Sequence, residues 1–271
     1  MLPKEMIQKI RKIEIQSNQL VEEVFSGKYH SLFKGNGLEF QDIREYAFGD
    51  DIRSIDWKVT AKYSKPYIKQ YKEERELNLF LLIDMSSSTF FGRKKEFISE
   101  IAATLAFSAV KNNDKVGAVI FTDKVEKLIP SKKGKKHALS IIASILNTEP
   151  QSKKTDIQEV LRFFKTFEKK RSIVFLISDF FDKDYEKEAA VTAQKHDLIL
   201  IRVMEKAEQK LPKGAIFSFQ DMETGEEIVL DNLKNEIPLK LDLKFKNFIE
   251  IETEQDFVKP LSIFFKRRRR K

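Results

Sequence analysis

The run Asp84-Met85-Ser86-Ser87-Ser88 sets a carboxylate and two hydroxyls at alternate positions, directly after the apolar stretch Leu79–Ile83. Two more oxygen donors end or open later segments. Thr155, in Thr155-Asp156, precedes a helical pattern, and Asp179, in Ile177-Ser-Asp-Phe180, follows another apolar run. Carboxylates and hydroxyls without nitrogen or sulfur make a hard donor set, suited to Mg²⁺ or Mn²⁺ and poor for zinc or copper. Two carboxylates and three hydroxyls underfill an octahedral shell, so an ion held this way stays electrophilic and attracts a carboxylate from outside. Met85, Ser87, Lys154 and Phe180 flank the donors and are the candidate partner contacts. The plain alternative makes Ser88 and Thr155 helix N-caps, with Thr155 and Gln158 closing a capping box.

Other site chemistries fail on what the chain lacks. It has no cysteine and only three scattered histidines, His30, His137 and His196, which excludes disulfides, thiolate nucleophiles and cysteine-based metal sites. The basic turn Ser131-Lys-Lys-Gly-Lys-Lys136 lacks the glycines that let backbone N–H groups close around a phosphate. Ser86 stands at a strand-to-helix turn, but without the flanking glycines of a nucleophile elbow and with no histidine placed as its base. Asp84 suits the first acid of a haloacid-dehalogenase-like phosphatase, yet Ser86 occupies the place of the second acid, the proton donor. A non-enzymatic protein is expected.

Donors so far apart in sequence need strands that end together. Leu79–Ile83, Val116–Phe121, Ile173–Ile177 and Leu198–Val203 are short, apolar and rich in branched residues, the pattern of strands buried on both faces of a parallel sheet. Between them, Phe97, Ile98, Ile101, Leu105 and Val110 recur at helical spacing. So do Ala138, Leu139, Ile142, Ile145 and Leu146, and then Ile157, Val160, Leu161, Phe164 and Phe167. The alternation predicts an α/β fold, a doubly wound and mostly parallel sheet with helices on both faces. Ligands bind such sheets beyond the carboxyl ends of the strands, where Asp84, Ser86, Ser88 and Asp179 fall. Residues 215–219 and 226–230 read as a hairpin, Ile249–Thr253 as a half-exposed last strand, and Phe257, Leu261, Phe264 and Phe265 as a closing helix.

The region ahead has a different texture. Residues 5–24 carry Ile7, Ile10, Ile13, Leu20, Val21 and Val24 among polar residues, an amphipathic helix. Residues 35–58 interleave Asp42, Arg44, Glu45, Asp50, Asp51, Arg53, Asp56 and Lys58 with Leu38, Phe40, Ile43, Tyr46, Phe48, Ile52, Ile55 and Trp57. Such alternation makes an internal ion-pair lattice that docks the segment on the sheet, or a recognition surface; the lattice is the simpler reading. The expected division is an N-terminal helix and charged segment over 1–76, the α/β domain over 77–265 and a basic tail over 266–271.

The 271 residues carry a formal charge of +8, but Lys266–Lys271 holds six positive charges and leaves the rest near balance. That tail offers nucleic acid or anionic lipid a docking point, or simply complements the end of its helix. The balanced remainder argues against nucleic acid as the main partner. Apolar runs fall far short of the ~18 residues needed to span a bilayer, and the first residues lack the apolar core of a signal peptide. A cytoplasmic protein is expected, with the tail permitting a peripheral place at the inner face of the membrane.

The order Asp84-x-Ser86-x-Ser88, then Thr155, then Asp179 resembles the von Willebrand factor A domain with its metal-ion-dependent adhesion site. The resemblance implies Mg²⁺ (or Mn²⁺) held by Asp84, Ser86, Ser88, Thr155 and Asp179, directly or through water, and completed by an acidic residue of a bound protein. Lys153-Lys154 departs from that family, in which small residues are more usual at this place. From Gly35 through Lys58, and on through Ala61-Lys-Tyr-Ser-Lys-Pro66 and Tyr71-Lys-Glu-Glu-Arg-Glu76, the chain is similar to the bacterial domain-of-unknown-function family 58, in which such a segment precedes a von Willebrand A-like domain. This second resemblance spans residues 30–265. It implies a chaperone-like or adaptor role beside a MoxR-type AAA+ ATPase or that ATPase's client protein.

Overall fold

A computed structural model of the protein describes residues 39–72, 77–90, 92–182, 184–205, 210–211, 216–220, 227–231, 237–238 and 245–269. They fall into two compact units divided at Glu76/Leu77. The helix expected over residues 5–24 lies outside the described residues.

In the first unit β1 (Glu39–Glu45) pairs antiparallel with β2 (Tyr67–Lys72), and α1 (Trp57–Tyr63) lies in the connection. Three of the acidic residues among the alternating charges form ion pairs within the unit. Arg44 grips both oxygens of Asp50 at 2.8 and 2.7 Å, Lys65 pairs with Glu45 at 3.1 Å, and Lys69 pairs with Asp56 at 3.4 Å. Asp51 and Asp56 also accept backbone N–H bonds at the starts of a 3-10 turn (Ile52–Ser54) and of α1. These three ion pairs lie within the unit, one of them between two of the alternating charges and two reaching lysines further along the chain. The interleaved apolar residues do not form a matching core, since Phe48, Ile52, Trp57 and Tyr63 are exposed.

The second unit contains, in order, β3 (Asn78–Asp84), α2 (Lys94–Lys111), β4 (Lys115–Phe121), β5 (Val125–Lys132), α3 (Lys135–Asn147), α4 (Ile157–Phe167), β6 (Ile173–Ser178), α5 (Glu186–Lys195) and β7 (Asp197–Met204). Two small antiparallel pairs follow, β8 (Lys210–Leu211) with β11 (Ile237–Pro238) and β9 (Ile216–Gln220) with β10 (Glu227–Asp231), the second being the expected hairpin. β12 (Phe248–Glu252) and α6 (Val258–Arg269) complete the unit.

Six strands make one sheet in the order β12-β7-β6-β3-β4-β5, parallel throughout except for β5, which returns antiparallel along β4. The four apolar runs are its four central strands, buried on both faces. Phe80, Leu82, Val174, Leu176, Leu198 and Leu200 lie in one core with Ile157, Val160, Leu161 and Phe164 of α4 and Ala189 of α5. On the opposite face Phe175 meets Phe265 of α6, and Phe97 of α2 meets Phe257. The doubly wound α/β arrangement read from the sequence is the observed one. Gly117 allows β4 to pass close beneath Phe80: a Cβ there would lie 2.5 Å from the Phe80 ring and 2.9 Å from the Ile129 carbonyl oxygen.

α6 continues through Lys266 to Arg269, so these residues belong to the closing helix rather than to a separate tail. Arg268 pairs with Asp197 at 2.6 Å and lies 5.7 Å from the centre of the Phe264 ring. Among the described residues no helix is long and apolar enough to cross a membrane.

Candidate functional site

The chain leaves β3 for β4 on one side and later returns to β6 on the other side of β3. Connections that diverge in this way open a crevice at the carboxyl ends of the two strands. Asp84 closes β3, and Ser178 closes β6 with Asp179 next in line. Asp84 is fully buried. Its Oδ2 accepts the Ser178 hydroxyl at 2.6 Å and its Oδ1 accepts the Ser86 N–H at 2.9 Å. The chain then enters a 3-10 turn (Ser87–Phe90), which brings the Ser86 and Ser88 hydroxyl oxygens to 3.1 Å from each other. Ser87 donates its N–H and its hydroxyl to the Lys153 carbonyl, both at 3.0 Å, and so draws the loop of half-buried Thr155 alongside the serine turn. This contact uses Lys153 backbone, which is why lysines are accommodated here: the Lys153 and Lys154 side chains are exposed.

Neither hydroxyl acts as the helix cap of the plain alternative. The N-cap of α4 is Asp156, whose carboxylate accepts the Glu159 N–H at 2.7 Å, and Gln158 donates to the Asp184 carbonyl at 3.0 Å instead of closing a box with Thr155. α2 begins only at Lys94, beyond the serine turn, so Ser88 does not cap it.

Asp179 is held in a way that its sequence position does not announce. Lys94, fully buried at the start of α2, places its Nζ 3.0 Å from Asp179 Oδ2 and 3.3 Å from the Ser88 carbonyl oxygen. Arg202, buried in β7, donates from Nε to the Asp179 carbonyl at 3.2 Å and from a terminal nitrogen to Glu250 at 3.0 Å. Phe180 follows with φ +58°, a left-handed conformation that is strained for a bulky residue. The turn sends the Phe180 ring inward against Tyr185 and Phe248 and leaves Phe181 half exposed.

Two of the four candidate partner contacts are thereby corrected. Met85 and Phe180 are both fully buried, Met85 because it continues the line of β3 and bonds the Phe121 carbonyl, Phe180 because of the left-handed turn. Ser87 remains half-buried at the rim and Lys154 exposed. Sequence reasoning also overlooks Lys94, Ser178, Arg202 and Phe181. Lys94 sits in Arg93-Lys94-Lys95, which looks like an ordinary solvated helix start. Arg202 does carry a signal, since a cation inside Leu198–Val203 must find a buried partner.

Burial, and then the negative charge of Asp179, push the Asp84 carboxyl up to about 7, while hydrogen bonds from Ser178 and Ser86 pull the other way. A cation beside Asp84 relieves both unfavourable effects. The oxygen-only set of Asp84, Ser86 and Ser88 fits a hard divalent ion. Asp179 fits less well as a direct ligand because the buried Lys94 ammonium stands 3.0 Å from its Oδ2, and a second cation there would be repelled. Among the described residues no group of three or more Asp, Glu, His or Cys is arranged to hold a metal, so an ion here depends on hydroxyls.

Comparison with known proteins finds relatives of the chain. The chain is 27% identical over 223 residues to the uncharacterized protein Rv1480 of Mycobacterium tuberculosis, covering 80% of this chain and 70% of that protein. It is 32% identical over 95 residues to the uncharacterized protein YeaD of Bacillus subtilis, covering 35% of this chain and 23% of that protein. The crystal structure of the conserved hypothetical protein BatB from Bacteroides thetaiotaomicron aligns with 72% of this chain and 100% of its own, at 14% identity and a TM-score of 0.47. The family described as protein of unknown function DUF58 matches residues 42–243, and the chain belongs to that family.

Proposed function

We propose that the protein is a non-enzymatic protein-binding module that depends on a divalent ion. Asp84, Ser86 and Ser88 would hold Mg²⁺ or Mn²⁺, with Thr155 at the rim and Asp179 behind Lys94. When bound, the ion supplies a Lewis-acidic position that an acidic side chain of a partner completes. The observation that carries this reading is the fully buried Asp84 carboxylate at the end of β3, set beside the paired Ser86 and Ser88 hydroxyls. A MoxR-type AAA+ ATPase, or a protein it remodels, is the proposed partner, on the strength of the family resemblance.

The surroundings of Ser86 support a binding role over a hydrolytic one. Its hydroxyl is shared with Ser88. His137 bonds the Val116 carbonyl and His196 packs against Phe164, so both described histidines are engaged away from Ser86. The test is recovery of the ATPase or its client by the tagged full chain, wild type and Asp84→Ala, in Mg²⁺ and in chelator. Recovery only by wild type with Mg²⁺ is expected; equal recovery in all four samples contradicts the reading.

A further inference from the structure

A buried ammonium is costly unless it is paired and hydrogen-bonded. Lys94 meets that requirement on both sides of the candidate site at once, through the Ser88 carbonyl after β3 and the Asp179 carboxylate after β6. The Phe181 ring lies over it, its centre 5.7 Å from Nζ, and the Arg202 guanidinium lies 5.7 Å from the same ring. Of the two site carboxylates, Asp179 therefore carries a fixed ammonium, whereas Asp84 accepts from the Ser178 hydroxyl and the Ser86 N–H.

We propose that Lys94 is a positioning residue that sets the divalent-ion affinity of the site: a tethered cation that holds Asp179 in an ion pair and leaves Asp84 as the carboxylate open to an ion. The inference rests on Asp84, Ser86 and Ser88 being an ion site and adds the residue that keeps that site weak. Affinity at oxygen sites rises with the number of carboxylates that face the ion. With Asp179 held by Lys94, a carboxylate supplied by a partner contributes a large share of the total, so ion and acidic partner each raise the other's affinity. Without Lys94, Asp179 returns to the site, and the ion binds tightly on its own.

The test is a calorimetric Mn²⁺ titration of the full chain, with thermal unfolding in EDTA and in Mn²⁺ as a second readout, on wild type, Lys94→Met, Lys94→Arg and Asp84→Ala. Lys94→Met is expected to bind Mn²⁺ about tenfold more tightly than wild type, to unfold earlier in EDTA, and to regain more from Mn²⁺ than wild type gains. Lys94→Arg, which keeps the charge, stays near wild type. Equal or weaker Mn²⁺ binding by Lys94→Met overturns the inference while wild-type binding stands. Binding absent from both wild type and Lys94→Met, or undiminished in Asp84→Ala, instead overturns the ion site beneath it. If Lys94→Met does not fold in EDTA, Lys94→Met/Asp179→Asn removes the orphaned charge; weak, wild-type-like binding by that double variant supports the inference, and tight binding overturns it.

Discussion

Ser178 donates its hydroxyl to Asp84 Oδ2 at 2.6 Å while accepting the Phe180 N–H at 3.0 Å. One side chain thus fastens the ends of β3 and β6 together and fixes the turn that aims Phe180 inward. Ser178→Ala leaves a buried carboxylate oxygen without its donor, and the expected loss is about 1–3 kcal/mol in urea unfolding above neutral pH. Ser178→Thr, which keeps the hydroxyl, should lose less. An alanine variant as stable as wild type would show that the bond contributes nothing.

Asp84 itself makes stability depend on pH. Its carboxyl is raised in the fold from 3.8 to about 7, so the native state binds this proton more tightly than the unfolded chain does. The contribution is fully present below about pH 4 and is lost as pH rises through 7. In EDTA, Asp84→Asn should therefore be more stable than wild type above pH 7, by about 2–4 kcal/mol, with the gain fading toward pH 4. Denaturant unfolding across that range checks it, and a gain independent of pH would contradict the assignment.

His196 acts in the opposite direction. Burial, helped by Lys195 and Arg171, pushes it from 6.5 down to about 4, and neither ring nitrogen has a hydrogen-bond partner among the described residues. Its neutral form is worth full stability above pH 6.5, and that stability is lost as pH falls from there through 4. Because Asp84 gains over much of the same window, the readout is the difference between wild type and His196→Phe, which keeps the edge-on contact with Phe164. The difference should shift in favour of the variant as pH falls below 6.5. A flat difference would mean that the ring protonates as readily in the fold as in the unfolded chain.

The cap and the candidate ligand stand next to each other at Thr155-Asp156 and are separable. Asp156→Ala should cost about 1 kcal/mol of stability through the lost N-cap and leave Mn²⁺ affinity in place. Thr155→Ala should weaken Mn²⁺ binding without the cap penalty. The reverse pattern, in calorimetry and unfolding together, would restore Thr155 to a structural role.

Strands buried on both faces were legible because their constraint is local: Leu79–Ile83 and Ile173–Ile177 have no face on which to place a polar residue. β5 was not, since an edge strand that is half solvated reads Val125-Glu-Lys-Leu-Ile-Pro-Ser-Lys132 and needs no apolar run. At the site, Asp84, Ser86 and Ser88 follow from the position of a strand end. Lys94 does not, because a lysine at a helix start is ordinarily solvated, and only the two strand ends meeting across the crevice show where its ammonium goes. Phe180 and Phe181 are likewise indistinguishable in sequence; a single left-handed φ at Phe180 decides which one is buried.

The most direct measurement is the electron paramagnetic resonance signal of free Mn²⁺ in the presence of the full chain. At protein and Mn²⁺ concentrations high enough to saturate a weak site, wild type should remove about one equivalent of the aqua-ion signal, as a single site of this donor chemistry requires, and Asp84→Ala should remove none. An unchanged signal with wild type, or the same loss with Asp84→Ala, would contradict an ion held by Asp84, Ser86 and Ser88.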